Sequence, residues 1–193
     1  MESRKVLMLI LFLGSMLLSS SFAVASENVV IIKGGVFQIA DRNQLIDDGS
    51  FVPTTIEKET TIFAVEFDHV FDNGFSIGGG YQGFEMDYDS TVGSGSFEAD
   101  FALFNSKLYF GKNSFKPFIG LSAGLIWADF DGNITGSSIG TAVAAMAGFR
   151  WQIGVTGIYV EYKNLFSANT EDGDSDEVDL EGQSITGGIS ISF

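Results

Sequence analysis

The 193-residue chain contains no cysteine, only two prolines and a single histidine. Without cysteine it can build no disulfide framework, no thiolate zinc site and no cysteine nucleophile. Basic residues are scarce too: 10 Lys and Arg stand against 25 Asp and Glu, for a net charge of −15. Such a balance argues against a nucleic-acid partner, which needs a basic footprint. Beyond residue 25 no run is long and apolar enough to cross a bilayer as a helix. What is abundant is glycine (24) and phenylalanine (19). That mixture suits one all-β domain that needs backbone latitude and a large aromatic surface.

Residues 1–25 read as a secretory signal peptide. Arg4 and Lys5 form a positive start, Val6 to Leu18 an apolar centre, and Ala23-Val24-Ala25 a small-x-small cleavage site. The apolar centre gives way to Ser19-Ser20-Ser21 too soon for a membrane anchor. The expected domain is therefore residues 26–193, with a net charge of −16 once Glu2, Arg4 and Lys5 are removed.

Period-two alternation then runs through the whole chain. Phe63, Val65, Phe67 and Phe71 alternate with Ala64, Glu66 and Asp68, and Asp72-Asn73-Gly74 supplies a hairpin loop with glycine at the left-handed position. Pairing Phe71 with Phe75 sets Phe67 against Gly79, Val65 against Tyr81, Asp68 against Gly78 and Glu66 against Gly80. Further strands are expected over residues 97–110, 118–127, 142–152, 157–166 and 182–193, with an opening strand over 29–39 that carries Lys33 on its polar side. Eight strands result. Short turns near residues 72–74, 111–116 and 154 alternate with long polar connections over 40–59, 87–96, 129–140 and 167–181. Short turns at one end and long loops at the other are how outer-membrane barrels are built.

Volume decides which face is inside. The apolar face would carry Phe63, Phe67, Phe71, Phe75, Tyr81, Phe97, Phe101, Trp127, Phe149, Trp151, Tyr162 and Phe193, which would overpack an eight-stranded interior. That face is therefore expected to meet lipid, with glycine, serine, alanine and a few charges inside. The expected inward charges are Lys33, Glu66, Asp68, Glu98, Asp100, Arg150, Glu161 and Lys163. One residue breaks the scheme: continuing the alternation past Leu103 aims Lys107 at lipid, which calls for a β-bulge near Phe104–Asn105 or a snorkelling side chain.

Two segments carry a family resemblance. Leu103-Phe104-Asn105-Ser106-Lys107-Leu108-Tyr109-Phe110 followed by Phe115-Lys116-Pro117-Phe118-Ile119-Gly120-Leu121-Ser122-Ala123-Gly124 resembles a hairpin of the small OmpA/OmpX/OmpW-type outer-membrane barrels. The ending Ile189-Ser190-Ile191-Ser192-Phe193 is similar to that family's C-terminal signature. The resemblance implies an eight-stranded antiparallel up-and-down barrel in a Gram-negative outer membrane, with Phe193 read by the barrel-assembly machinery and the wall in contact with lipids and lipopolysaccharide. It says little about activity, since one fold hosts many functions.

Candidate chemistry is sparse. Arg150 and Glu161 fall within diagonal reach if the turn centres on Gly154 and Val155, so the inward charges can form either a gate or a plug of salt bridges. An acidic lumen, if open, would favour cations. His69 faces outward by parity, and no serine stands beside it as in the lipid A-modifying barrels; a solvated or interfacial imidazole is expected. Asp172, Asp174 and Asp176 imitate the start of a calcium loop, but Glu177 replaces the expected glycine, so a solvated loop is expected and no metal site. No cofactor motif is present. The expectation is a non-enzymatic envelope barrel, porin-like or structural and adhesive. The alternatives are a membrane-embedded lipid A-modifying enzyme and a soluble periplasmic ligand-binding barrel.

Overall fold

The computed structural model describes residues 27–40, 45–47, 50–52, 54–56, 59–90, 93–111, 113–132, 136–171 and 177–193. The signal peptide and its cleavage site lie outside these residues, as does the stretch 172–176 that holds the calcium-like aspartates.

Eight long antiparallel strands form a closed barrel: β1 (Glu27–Ile39), β2 (Glu59–Val70), β3 (Phe75–Ser90), β4 (Gly93–Tyr109), β5 (Phe115–Gly132), β6 (Gly136–Ile153), β7 (Thr156–Glu171) and β8 (Gly182–Ser192). Each pairs with the next, and β8 lies between β7 and β1, so no edge is left open. Asn28 and Phe193 exchange two backbone hydrogen bonds of 3.0 Å at the seam. Short strands Leu45–Asp47, Ser50–Val52, Thr54–Ile56 and Glu177–Asp179 extend the sheet at the long-loop end.

The β2–β3 hairpin has the expected register throughout, including Glu66 opposite Gly80 and Phe67 opposite Gly79. Its turn closes through a Phe71 N–H to Phe75 C=O bond of 2.8 Å, with Gly74 at φ 83°. The β6–β7 turn is the two-residue loop Gly154–Val155, flanked by the pair Ile153 and Thr156.

Following hydrogen-bonded neighbours around the wall gives the row Phe118, Gly148, Glu161, Thr186, Gly35, Ile62, Phe84, Ala99 and then Ala128. The row returns to its starting strand ten residues above where it left. Eight strands with that stagger tilt by about 40–45°, so each residue climbs roughly 2.4 Å. Strands of up to 18 residues are consequently longer than the 9–11 residues, approximately, that a bilayer crossing needs. The barrel stands above its membrane.

The outer wall reflects this. Phe63, Ile119, Leu121, Trp151, Ile158, Ile185 and Ile189 are exposed on it, and Phe75, Phe115, Ile153 and Phe193 mark its short-turn end. The stagger brings Asn164, Gln183, Gln38, Glu85 and Asp100 close to a common level about 25 Å above that end, the height of an apolar belt. Tyr162 donates to Gln183 Oε1 (2.9 Å), Gln183 donates to Gln38 Oε1 (2.8 Å), and Tyr81 donates to Asp100 Oδ1 (2.5 Å). Tyrosines and amides thus form an upper girdle. The apolar belt lies outside the barrel, which excludes the soluble ligand-binding alternative.

One strand corrects the sequence reading. In β4 the buried residues are Phe97, Ala99, Phe101, Leu103, Asn105, Lys107 and Tyr109, alternating without a break. Phe97 and Phe101 therefore point inward rather than to lipid, and Glu98 and Asp100 lie on the outer wall rather than in the lumen. The registers with β3 and β5 run continuously through Phe104 and Asn105, so there is no bulge, and Lys107 is buried in the lumen instead of snorkelling. The physical reason is the bilayer level. The Phe97–Phe101 stretch stands at and above the polar girdle, where the outer wall meets water and the interior must supply the apolar core.

Candidate functional site

The interior is divided into two layers at the level of the girdle. Above it lies an apolar core in which Phe37 stacks on Phe84 (centroids 4.5 Å apart), Phe84 meets Phe101 (5.8 Å), and Phe97 meets Phe130 (5.8 Å). Ile62, Ile126, Leu165, Met86, Tyr88 and Leu180 complete it, all buried. Leu180 sits at the end of the acidic 171–181 run, and Glu177–Asp179 pairs with Asn169–Glu171, so this end of the loop is anchored rather than freely solvated.

Below the girdle the lumen holds an ionic cluster beside a second buried apolar cluster that includes Val29, Ile31, Val70, Phe118 and Met146. Lys33 reaches Glu66 Oε1 (2.6 Å) and Glu161 Oε1 (2.5 Å). Lys107 reaches Glu66 Oε2 (2.7 Å) and Asp68 Oδ2 (3.0 Å). Lys163 donates to Gln82 Oε1 (3.1 Å) and lies 3.5 Å from both Glu66 and Glu161. Tyr109 donates to Asp68 (3.0 Å) and Tyr159 to Glu161 (2.9 Å). Lys107 also lies 5.3 Å from the Tyr159 ring and 5.6 Å from the Phe118 ring. Three lysines face three carboxylates, so the cluster is neutral as a unit. Strand geometry brings it together: each member sits at an inward position, and Gly78, Gly80 and Gly120 leave room over the backbone for Asp68, Glu66 and Lys107.

The predicted inward charges thus divide. Lys33, Glu66, Asp68, Glu161 and Lys163 are gathered at one level, joined by Lys107, Gln82, Tyr109 and Tyr159. Glu98 and Asp100 stand elsewhere, on the outer wall. Arg150 is also inward, but it does not pair with Glu161. Its Nη2 donates to both oxygens of Glu27 (2.7 Å each) and to Gln152 Oε1 (2.8 Å), at the short-turn mouth, with Lys116 3.3 Å from Glu27. The turn has the expected shape, yet Arg150 lies one rung lower, opposite Tyr159, and takes the carboxylate at the start of β1. The strand begins at Glu27, two residues before the expected start at Val29, and the same alternation extended that far places Glu27 inward.

His69 is largely covered near the short-turn end, and the Phe67 ring lies edge-on to it (4.9 Å). Among the described residues no hydrogen-bond partner meets either imidazole nitrogen, and no group of His, Asp and Glu has the geometry of a metal site.

No family model matches the chain, and no curated protein does. Solved structures are similar. OprG of Pseudomonas aeruginosa matches with a TM-score of 0.68 over 88% of this chain and 97% of its own, at 15% identity. The fold is that of the small outer-membrane barrels. Neisserial surface protein A matches with a TM-score of 0.64 over 89% of this chain and 99% of its own, at 10% identity. Ail of Yersinia pestis, solved in complex with the heparin analogue sucrose octasulfate, gives 0.51 over 86% and 99%, at 17% identity. Likeness at these identities carries the architecture. Together with the outward apolar belt it places this outer-membrane barrel with its strands crossing the lipid, its short turns and both ends of the barrel sheet on the periplasmic side.

Proposed function

We propose that this outer-membrane barrel is a closed, non-catalytic envelope protein that acts through its extracellular extension, in a structural or adhesive role, and not as a small pore. The observation that carries the reading is the filled interior: an aromatic layer over a charge-neutral ion-pair cluster, with Phe37, Phe84, Phe97 and Phe101 all nearly or fully buried. An ion would have to displace both layers. The test is single-channel recording of refolded protein in a planar bilayer, after boiled and unboiled gel samples establish the folded barrel. Silence from folded protein is expected; reproducible unitary steps would overturn the reading.

The same proposal covers the partners. Lipid and lipopolysaccharide meet the belt and girdle, and the rim residues Glu85, Asp87, Glu98 and Asp131 disfavour a polyanionic ligand for the extension. Phe193, exposed at the periplasmic seam, is where the assembly machinery would read the last strand. A lipid A-modifying activity is not favoured, since no hydroxyl bonds to His69 among the described residues. His69→Ala is expected to leave the lipid A mass spectrum unchanged.

A further inference from the structure

One lysine in the lumen is held against a carboxyl group in the manner of a nucleophile. Lys107 Nζ lies 3.0 Å from Asp68 Oδ2 and 2.7 Å from Glu66 Oε2. The lysine stem is fixed: it lies over Gly120, where a Cβ would come within 3.0 Å of Lys107 Cγ. The Phe118 and Tyr159 rings flank the ammonium at 5.6 and 5.3 Å. Asp68 is fixed as well, leaning over Gly78, where a Cβ would come within 2.5 Å of Oδ1. Tyr109 donates to Oδ2, the same oxygen that Lys107 meets, at 3.0 Å. Lys107, Asp68, Glu66 and Tyr109 are all buried.

We propose that Lys107 and Asp68 condense to an isopeptide bond that staples β4 to β2 across the lumen, with Glu66 carrying the protons. One proton leaves Nζ through Glu66 and passes to Oδ2, which frees the nitrogen lone pair and makes Asp68 a neutral acid. Nζ attacks Cγ, and the second proton follows the first as the tetrahedral adduct collapses. The C–N bond is then formed, the Cγ–Oδ2 bond is broken, and Oδ2 departs as water. Nothing is oxidised or reduced, and Glu66 ends as it began. The Tyr109 hydroxyl stabilises negative charge on Oδ2 in the adduct. Side chains held at contact distance by the wall replace a bimolecular encounter. Charge balance survives, because one cation and one anion vanish together and Lys33 and Lys163 still face Glu66 and Glu161. A buried ion pair carries a desolvation cost that an amide does not. Lys33 and Glu161 are also in contact, but there Lys33 meets Oε1 while Tyr159 donates to Oε2, so no tyrosine serves the oxygen beside the amine. In a chain without cysteine, such a bond supplies the covalent tie that no disulfide can.

The inference does not depend on whether the barrel conducts. It is tested by mass spectrometry on the native chain, extracted folded from outer membranes and then denatured and digested. The intact mass is expected to fall short of the mature sequence by one water, and the digest to contain a branched peptide joining Lys107 to Asp68. Linear peptides carrying both residues unmodified would overturn the bond. So would a branch elsewhere, such as one between Lys33 and Glu161. Asp68→Asn should close the same bond with loss of ammonia in place of water. Glu66→Gln, shown to be folded by boiled and unboiled gel samples, should keep its full mass; condensation in that variant would overturn the proton route.

Discussion

The two halves of this barrel solve opposite solvent problems with the same strands. In the lower half the outer wall is apolar and the interior holds Lys33, Lys107, Lys163, Glu66, Asp68 and Glu161; in the upper half the outer wall carries Glu85, Asp87, Glu98 and Asp100 and the interior is phenylalanine. The reversal happens at one level, inside and outside together. A strand has only two faces, so a side chain that suits lipid below must be replaced by one that suits water above, and the lumen takes the complement. The lower half is a membrane protein with a polar core. The upper half is a water-soluble barrel built on its top.

That contrast can be broken most severely from inside. Lys107→Met leaves Glu66 and Asp68 without their shared cation, and a loss of about 3–5 kcal/mol is expected in urea unfolding followed by gel mobility. Phe101→Ala, six residues along the same face of β4, should cost a similar amount, roughly 3–5 kcal/mol, for a different reason: a cavity in an apolar layer. A small effect from Phe101→Ala would mean that the upper layer is not a packed core. Outside, Leu121→Arg places a cation near the middle of the belt and should cost about 2–4 kcal/mol, whereas Glu85→Arg at the girdle should stay within about 1 kcal/mol. Equal penalties would move the lipid boundary and erase the contrast. A double-mutant cycle sharpens the ionic half: Arg150 should couple to Glu27 by about 1–3 kcal/mol and to Glu161 by less than about 0.5 kcal/mol. The smallest change is Asp87→Asn on the exposed upper wall, expected within about 0.5 kcal/mol in the same unfolding measurement.

Architecture was legible because alternation, turn chemistry and loop lengths all agree. The β2–β3 register followed from one glycine turn and the parity of its neighbours, and the outward set Ile119, Leu121, Leu125 on β5 followed from volume. What period two does not contain is which face is inside, and a volume argument applied to the whole chain assumes a single solvent along each strand. That assumption fails at β4, where Phe97–Phe101 alternates with Glu98 and Asp100 at and above the girdle. The signal was present. A lysine at 107 aimed at lipid is costly enough to turn the whole strand over, and doing so needs no bulge. The ion-pair partners were harder to read, because they depend on stagger: Lys107 meets Glu66 and Asp68 two strands away, and Arg150 meets Glu27 across the barrel, at separations that no local pattern records.

The seam between β1 and β8 sets the order of events in time. The first strand of the barrel can find its second neighbour only when the last eleven residues of the sheet exist, and Phe193 makes the final backbone exchange with Asn28. Until then both terminal strands are bare edges and the lysine–carboxylate cluster lacks a wall. The ring closes only where β8 meets β1, and a chain shortened by one strand is not a smaller barrel but an open sheet.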